Sequence, residues 1–182
     1  MLTQGVKWVV EQVRRIIGSS VTMSVHNHHN YCWQETHNDV NMWVVRKGAT
    51  PAFPGQLGFV GGSMGDDAVI LRGVESAESK AALYSTVHGA GRVMSRTDAK
   101  GKVHRKTGRV IREPKVDRGE WEAWIAAKGV TLVGGDLDES PQAYRRLPDV
   151  LAEHKNTIEI LHTLHPFGVI MAGKNEFDPY KD

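Results

Sequence analysis

Cysteine is almost missing from this chain: Cys32 stands alone among 182 residues. One thiol cannot close an internal disulfide, and a small zinc module built on the histidines, a third and weaker reading, lacks paired cysteines and a second histidine group at ligand spacing. A reducing, cytoplasmic setting is the expectation. Long apolar runs are missing as well. Lys7, Glu11, Arg14 and Arg15 interrupt the N-terminal apolar positions, so there is no secretory h-region, and no segment is apolar over the length a bilayer requires. No membrane role is expected. Internal repeats and a linker between halves are also lacking, so residues 1–182 read as one domain with a frayed polar tail over 174–182.

What the sequence does have is ordinary globular composition, 40% hydrophobic and 24% charged, enough for one sizeable core. Its formal charge of +2 is unevenly spread, because ten Lys and Arg face only three Asp and Glu between Arg92 and Arg118. Such a run is either a polyanion contact or a solvated loop.

Val6, Val9, Val10, Val13, Ile16 and Ile17 recur at helical spacing, with Gly18 placed to stop the helix. A stripe that begins so near Met1 leaves little room for a preceding partner, so the chain is expected to start partway through something larger. Val21, Met23 and Val25 alternate with polar residues and predict a strand running into His26-Asn27-His28-His29-Asn30. On a strand His26 and His28 share a face that His29 does not. One of the three can then supply an imidazole to a metal site completed elsewhere, or the group is a polar strand end.

A break at Thr36 to Asp39 precedes a returning strand over 42–47. Leu57 to Val60 and Ala68 to Leu71 read as strands around the glycine-rich Gly61-Gly62-Ser63-Met64-Gly65, which is a phosphate cradle or a tight turn. Ser76 to Tyr84 predicts a short helix, and the basic stretch 100–115 reads as a mobile loop. Asp117 and Glu120 open a helix that carries Trp121 and Trp124 and closes at Gly129. A strand over 130–133, helix starts at Pro141 and Pro148, and strands over 158–164 and 167–171 complete the pattern. The expected fold is α+β, a mixed sheet with flanking helices.

Everything else is arranged around Ser85-Thr86-Val87-His88-Gly89-Ala90-Gly91-Arg92-Val93-Met94-Ser95-Arg96. It gathers a nucleophilic imidazole, flexible backbone and two cations. If a helix opened at Ala90, its free N–H groups would favour a phosphate and Arg92 and Arg96 would lie one turn apart. The bland alternative is a His-Gly turn followed by a solvated helix face.

The string HGAGRVMSR, with GSMG and HHN upstream of it, resembles the C-terminal half of the RtcB family of RNA ligases. The resemblance runs from the first helix to Gly173 with the motifs in the family's order. It implies the C-terminal portion of an RtcB-like fold and a GTP- and manganese-dependent ligase of tRNA splicing and RNA repair. Such an enzyme joins RNA 3′-phosphate or 2′,3′-cyclic phosphate ends to 5′-hydroxyl ends. His88 matches the residue that becomes guanylylated, and His29 matches a ligand of the Mn2+ ions. Asn30, Gly61, Gly62, Ser63, Met64, Gly89, Ala90, Gly91 and Tyr144 match nucleotide contacts, with Tyr144 against the guanine. Arg92 and Arg96 match arginines that hold RNA phosphate.

Three positions depart from the family's pattern: Gly61 stands where a proline is usual, Ala68 where a serine is usual, and Ala172 where a closing lysine contacts guanine. The family's N-terminal motifs, which carry most of its metal ligands, are not in this sequence. Cys32 is in the wrong context to replace the family's cysteine ligand, and His37, His104, His154, His162 and His165 match no ligand and read as surface or structural. The resemblance therefore implies a ligase that is incomplete as this chain alone and that needs a separate N-terminal half or self-association. The alternative is a non-catalytic remnant that keeps a guanylate-binding surface.

Overall fold

The computed structural model describes residues 2–104 and 106–172, so Gly173 and the tail expected over 174–182 lie outside the described residues. The first helix, α1 (Leu2–Ile17), forms where the valine and isoleucine stripe predicts it, and Gly18 ends it at φ 65°. That stripe is not covered: Val9, Val13 and Ile16 are 53%, 46% and 75% exposed.

From residue 19 to residue 29 the chain has no regular secondary structure, which corrects the strand expected over 21–26. The hairpin instead pairs β1 (Asn30–His37) with β2 (Val40–Lys47). Its two-residue turn places Asn38 and Asp39 at φ 50° and 62°, the left-handed pair that matches strand twist. The next strand, β3 (Ala49–Pro51), pairs antiparallel with β6 (Ser85–Val87). Between them β4 (Leu57–Val60) and β5 (Ala68–Gly73) form an antiparallel sheet completed by β10 (Ile158–Leu164), in the order β10-β5-β4.

The short α2 (Ala77–Ala81) is capped by Ser76, whose hydroxyl accepts from the Ser79 N–H at 2.9 Å. Where a loop is expected over 100–115, the described residues include α3 (Arg96–Lys100) and a small hairpin of β7 (Lys102–Val103) and β8 (Val110–Arg112). Asp117 caps α4 (Arg118–Ala127) by accepting from the Glu120 N–H at 2.9 Å, as the capping pattern requires. Behind it β9 (Thr131–Val133) pairs in parallel with β11 (Gly168–Ile170), and α5 (Leu147–Ala152) starts with Pro148 in its first turn. The fold is α+β, with the strands divided among several small sheets.

Two apolar clusters hold it together. One joins the central sheet to α5 through Val60, Val69, Leu71, Leu147, Leu151 and Ile158. The other packs Trp121 and Ile125 of α4 against Met64, Ala99, Leu137 and Ala143. Leu71 and Leu147 are essentially excluded from water, each such burial contributing about 1.5–3 kcal/mol. Tyr144 touches both clusters, so the segment beside the central motif is also the seam of the core.

Candidate active site

The site begins at the foot of the hairpin. Gly48, at φ 68°, turns the chain from β2 into β3 and donates its N–H to the His29 carbonyl at 2.9 Å and to Asn30 Oδ1 at 3.1 Å. Asn27 Oδ1 accepts from the Phe59 N–H at 2.9 Å and moors the histidine segment to β4. Because Val87 lies opposite Ala49, the pairing of β3 with β6 carries His88 to the same place. A Cβ on Gly48 would sit 3.4 Å from His88 Nε2. The His29 and His88 rings stack with centroids 5.1 Å apart and planes within 9°. Partial burial, followed by the neighbouring His29 ring, lowers the His88 pKa and favours its neutral, nucleophilic form.

The two glycine-rich stretches meet next to this pair. Gly61 and Gly89 form a parallel bridge, and a Cβ on Gly89 would lie 3.3 Å from the Gly61 carbonyl oxygen. Gly62 has no room for any side chain, since a Cβ there would meet the Asp67 carbonyl oxygen at 2.5 Å. Ser63 Oγ is buried and finds no hydrogen-bond partner among the described residues. The Met64 side chain belongs to the core, where its sulfur accepts from Trp121 Nε1 at 3.3 Å.

No helix opens at Ala90. That residue is buried in the core, and Gly91 takes φ 76° with its carbonyl accepting from the Arg145 N–H at 2.9 Å. Val93 N–H donates to the Ala143 carbonyl and Arg92 bridges Tyr144 in antiparallel sense, so the motif runs as an extended strip along 143–145. Backbone pairing across 50 residues has displaced the local helix, which starts only at Arg96 behind the Ser95 cap. Arg92 and Arg96 therefore do not share a helix face.

Both arginines meet acidic or polar neighbours. Arg92 donates from Nε to the Met94 carbonyl at 3.1 Å, from Nη1 to the Tyr144 hydroxyl at 2.8 Å and from Nη2 to the Asp138 carbonyl at 2.6 Å. Its guanidinium also lies 4.8 Å from the Tyr144 ring centroid and covers one face of that ring. Three of its five N–H groups are thus committed within the protein. Arg96 uses Nη1 for Glu139 and for Asp138 Oδ2 at 3.4 Å. Tyr144 donates its hydroxyl to Glu139, and burial together with that carboxylate raises its pKa.

A second charged group lies beneath the histidines and was not singled out by sequence pattern. Arg46 is 3% exposed and pairs with Glu35, Nη2 to Oε2 at 3.0 Å. It also donates to Ser85 Oγ at 2.9 Å and to the Leu83 carbonyl at 2.8 Å. These bonds hold Leu83 and Tyr84, both left-handed at φ 50° and 48°, at the turn that leads into β6 and His88. His37 completes the cluster, 2.7 Å from Glu35 Oε2, and is buried as a structural residue. Burial alone would raise Glu35, but hydrogen bonds from Arg46 and His37 outweigh it and hold the carboxyl below its ordinary value.

The arrangement brings together two imidazoles, that of His88 exposed, two glycine strips and two cations. It does not by itself suit a pair of manganese ions, because the described residues contain no group of three or more His, Cys, Asp or Glu placed to hold a metal. His29 is one such donor, and a dinuclear site needs several.

Comparison with known proteins gives the same region a context. The family model described as tRNA-splicing ligase RtcB matches residues 2–172. The RNA-splicing ligase RtcB of Escherichia coli K12 is 37% identical over 138 residues, covering 75% of this chain and 30% of that protein. The tRNA-splicing ligase RtcB of Archaeoglobus fulgidus is 32% identical over 186 residues, covering 89% of this chain and 36% of that protein. That of Pyrococcus abyssi is 31% identical over 188 residues, covering 89% and 19%. This chain thus matches about a third or less of the length of these relatives.

Proposed function

The chain belongs to the tRNA-splicing ligase RtcB family, and from that membership we propose that it supplies the guanylate-accepting portion of a GTP-dependent RNA ligase. The observation that carries the reading is the stacked His29 and His88 pair beside the Gly61 to Gly89 bridge. A neutral His88 nitrogen attacks the α-phosphorus of GTP, forming an N–P bond and releasing pyrophosphate. The guanylate then passes to an RNA 3′-phosphate, and a 5′-hydroxyl displaces GMP as the new phosphodiester forms. Asn30, Gly61, Gly62, Ser63, Gly89 and Gly91 line the nucleotide's path, with the buried Met64 and Ala90 contributing backbone alone. Tyr144, braced by Arg92, is the aromatic contact for the guanine.

His29 is the imidazole this chain would contribute to manganese, which when bound would neutralise phosphate charge. The remaining donors would come from the N-terminal portion of an RtcB-family ligase that this sequence does not include, or from a second copy. Of the two arginines, Arg96 has more donors left for RNA phosphate, and Arg92 has fewer because it braces Tyr144. Neutralising Arg96 as Arg96→Gln is expected to lower the salt dependence of RNA binding by about one charge. The proposed setting is cytoplasmic, and no helix among the described residues is long and apolar enough to cross a membrane.

A second reading, a non-catalytic remnant that keeps the guanylate surface, is favoured by the lack of a three-ligand group among the described residues. One experiment separates the two: incubation with α-labelled GTP and manganese, with and without the complementary portion of an RtcB-family ligase. The ligase reading expects label on His88 only with the complement present and none on His88→Ala. An unlabelled parent in the complemented mixture, or a labelled His88→Ala, overturns it.

A further inference from the structure

The ligase reading uses His29 and leaves His26 and His28 without a task, yet these two are not isolated. Four rings gather at the start of the hairpin. His28 lies 4.9 Å from His26, 5.0 Å from Tyr31 and 5.7 Å from Trp33 between ring centroids, and Tyr31 lies 4.7 Å from Trp33. His26 and His28 are exposed, Tyr31 is 45% exposed and Trp33 half-buried, and none belongs to either apolar cluster.

We propose that the rings of His26, His28, Tyr31 and Trp33 form a stacking subsite for an unpaired base of the RNA strand whose end is joined at His88. The inference rests on the ligase reading and extends it to a contact with the substrate. Three observations carry it. First, the ring pairs His26 with His28, His28 with Trp33 and Tyr31 with Trp33 meet at 89°, 79° and 64°, so in each pair one ring meets its neighbour by the rim and that contact leaves its faces uncovered. Second, His28 immediately precedes His29, which stacks on His88, so a strand end at His88 has its neighbouring bases within reach of the cluster. Third, Lys47 sits across the hairpin from Asn30, exposed and without an ion pair among the described residues, where it can meet the backbone of the same strand.

The composition of the cluster points to RNA over an apolar protein surface. Each imidazole keeps two polar nitrogens, which a dry protein interface would leave unsatisfied, whereas a base accepts both stacking and edge hydrogen bonds from such rings. Unpaired bases stack on Tyr, Trp and His whatever their identity, so the subsite would select single strands without selecting sequence.

The test uses the full chain and a single-stranded RNA oligonucleotide with a 3′-phosphate and 2-aminopurine near that end. Stacking quenches 2-aminopurine, so the parent should quench it on binding. Tyr31→Ala, at an exposed position, should keep the parent's melting temperature, lose most of the quench and weaken binding about ten-fold. Tyr31→Phe should behave as the parent, and the salt slope should be the same in all three, since no charge is removed. A parent that gives no quench, or a Tyr31→Ala chain with the parent's quench and affinity, overturns the proposal. The labelling of His88 reads the ligase proposal separately. Quench without label removes the ligase reading and with it the subsite's link to His88, leaving only a base-stacking surface, and label without quench removes the stacking subsite alone.

Discussion

The histidine end of the site and its arginine end are built on opposite plans. At one, His29 and His88 meet ring to ring, with His88 exposed. At the other, Arg92, Arg96, Tyr144, Asp138 and Glu139 are tied to one another by charge-assisted hydrogen bonds at the seam of the two apolar clusters. The difference separates chemistry from construction. A nucleophile must present an uncommitted nitrogen, whereas a frame that spans 50 residues of sequence commits donors of both arginines within the protein. The histidine end borrows its rigidity from below, where Arg46 and Glu35 tie the hairpin to the turn before β6.

The sharpest way to break this contrast is Arg46→Met. Removing one member of a buried pair leaves Glu35 without its cation and with His37 as its remaining side-chain partner, with an expected loss of about 3–5 kcal/mol in urea unfolding. Glu35→Met combined with Arg46→Met should recover much of that loss, because no lone charge remains. If Arg46→Met were neutral, the histidine end would not depend on the clamp beneath it. Next in size is Arg92→Ala, which frees Tyr144 and two carbonyls at the arginine end and should cost roughly 2 kcal/mol by the same measurement.

Acid sharpens the comparison in a different way. Glu35 is held below its ordinary value of 4.5, so in mild acid the unfolded carboxyl takes a proton before the folded one does. The contribution of the clamp is complete above that value and is lost as pH falls through the lower folded value. Melting temperature followed from pH 7 downward should therefore begin its Glu35-dependent fall below about 4.5, and Glu35→Gln should flatten that part of the curve. The smallest effect belongs to His29→Ala, expected to change stability by no more than about 0.5 kcal/mol while removing the imidazole beside His88. A large loss of stability there would make the pair a structural contact.

Legibility in the sequence followed the same division. Helix α1, strands β4, β5 and β10 and the Asp117 cap announce themselves, because apolar spacing and capping chemistry are local signals. The hairpin's first strand did not, since its inward side carries Glu35 and His37 opposite a returning strand that buries Arg46. Polar residues inside invert the expected alternation. Val21 and Met23 imitate it in a segment that remains 53% and 45% exposed at those positions and pairs with nothing as a strand. The His88 motif was legible as a string, but its backbone was not, because the extended strip depends on residues 143–145. Asp138 and Glu139 had one available signal, their charge opposite two arginines, yet nothing local states which cations they meet.

The long-range sheet has a consequence for the time course of synthesis. Strand β5 is complete at Gly73 but pairs with β10, which begins at Ile158. The strip after His88 likewise waits for Ala143 and Arg145 before its backbone groups find partners. On a ribosome the β1 and β2 hairpin can close as soon as it emerges, while β5 must spend the next 85 or so residues with one edge open. During that interval Val69 and Leu71, later among the driest residues of the core, are the segment a chaperone would find.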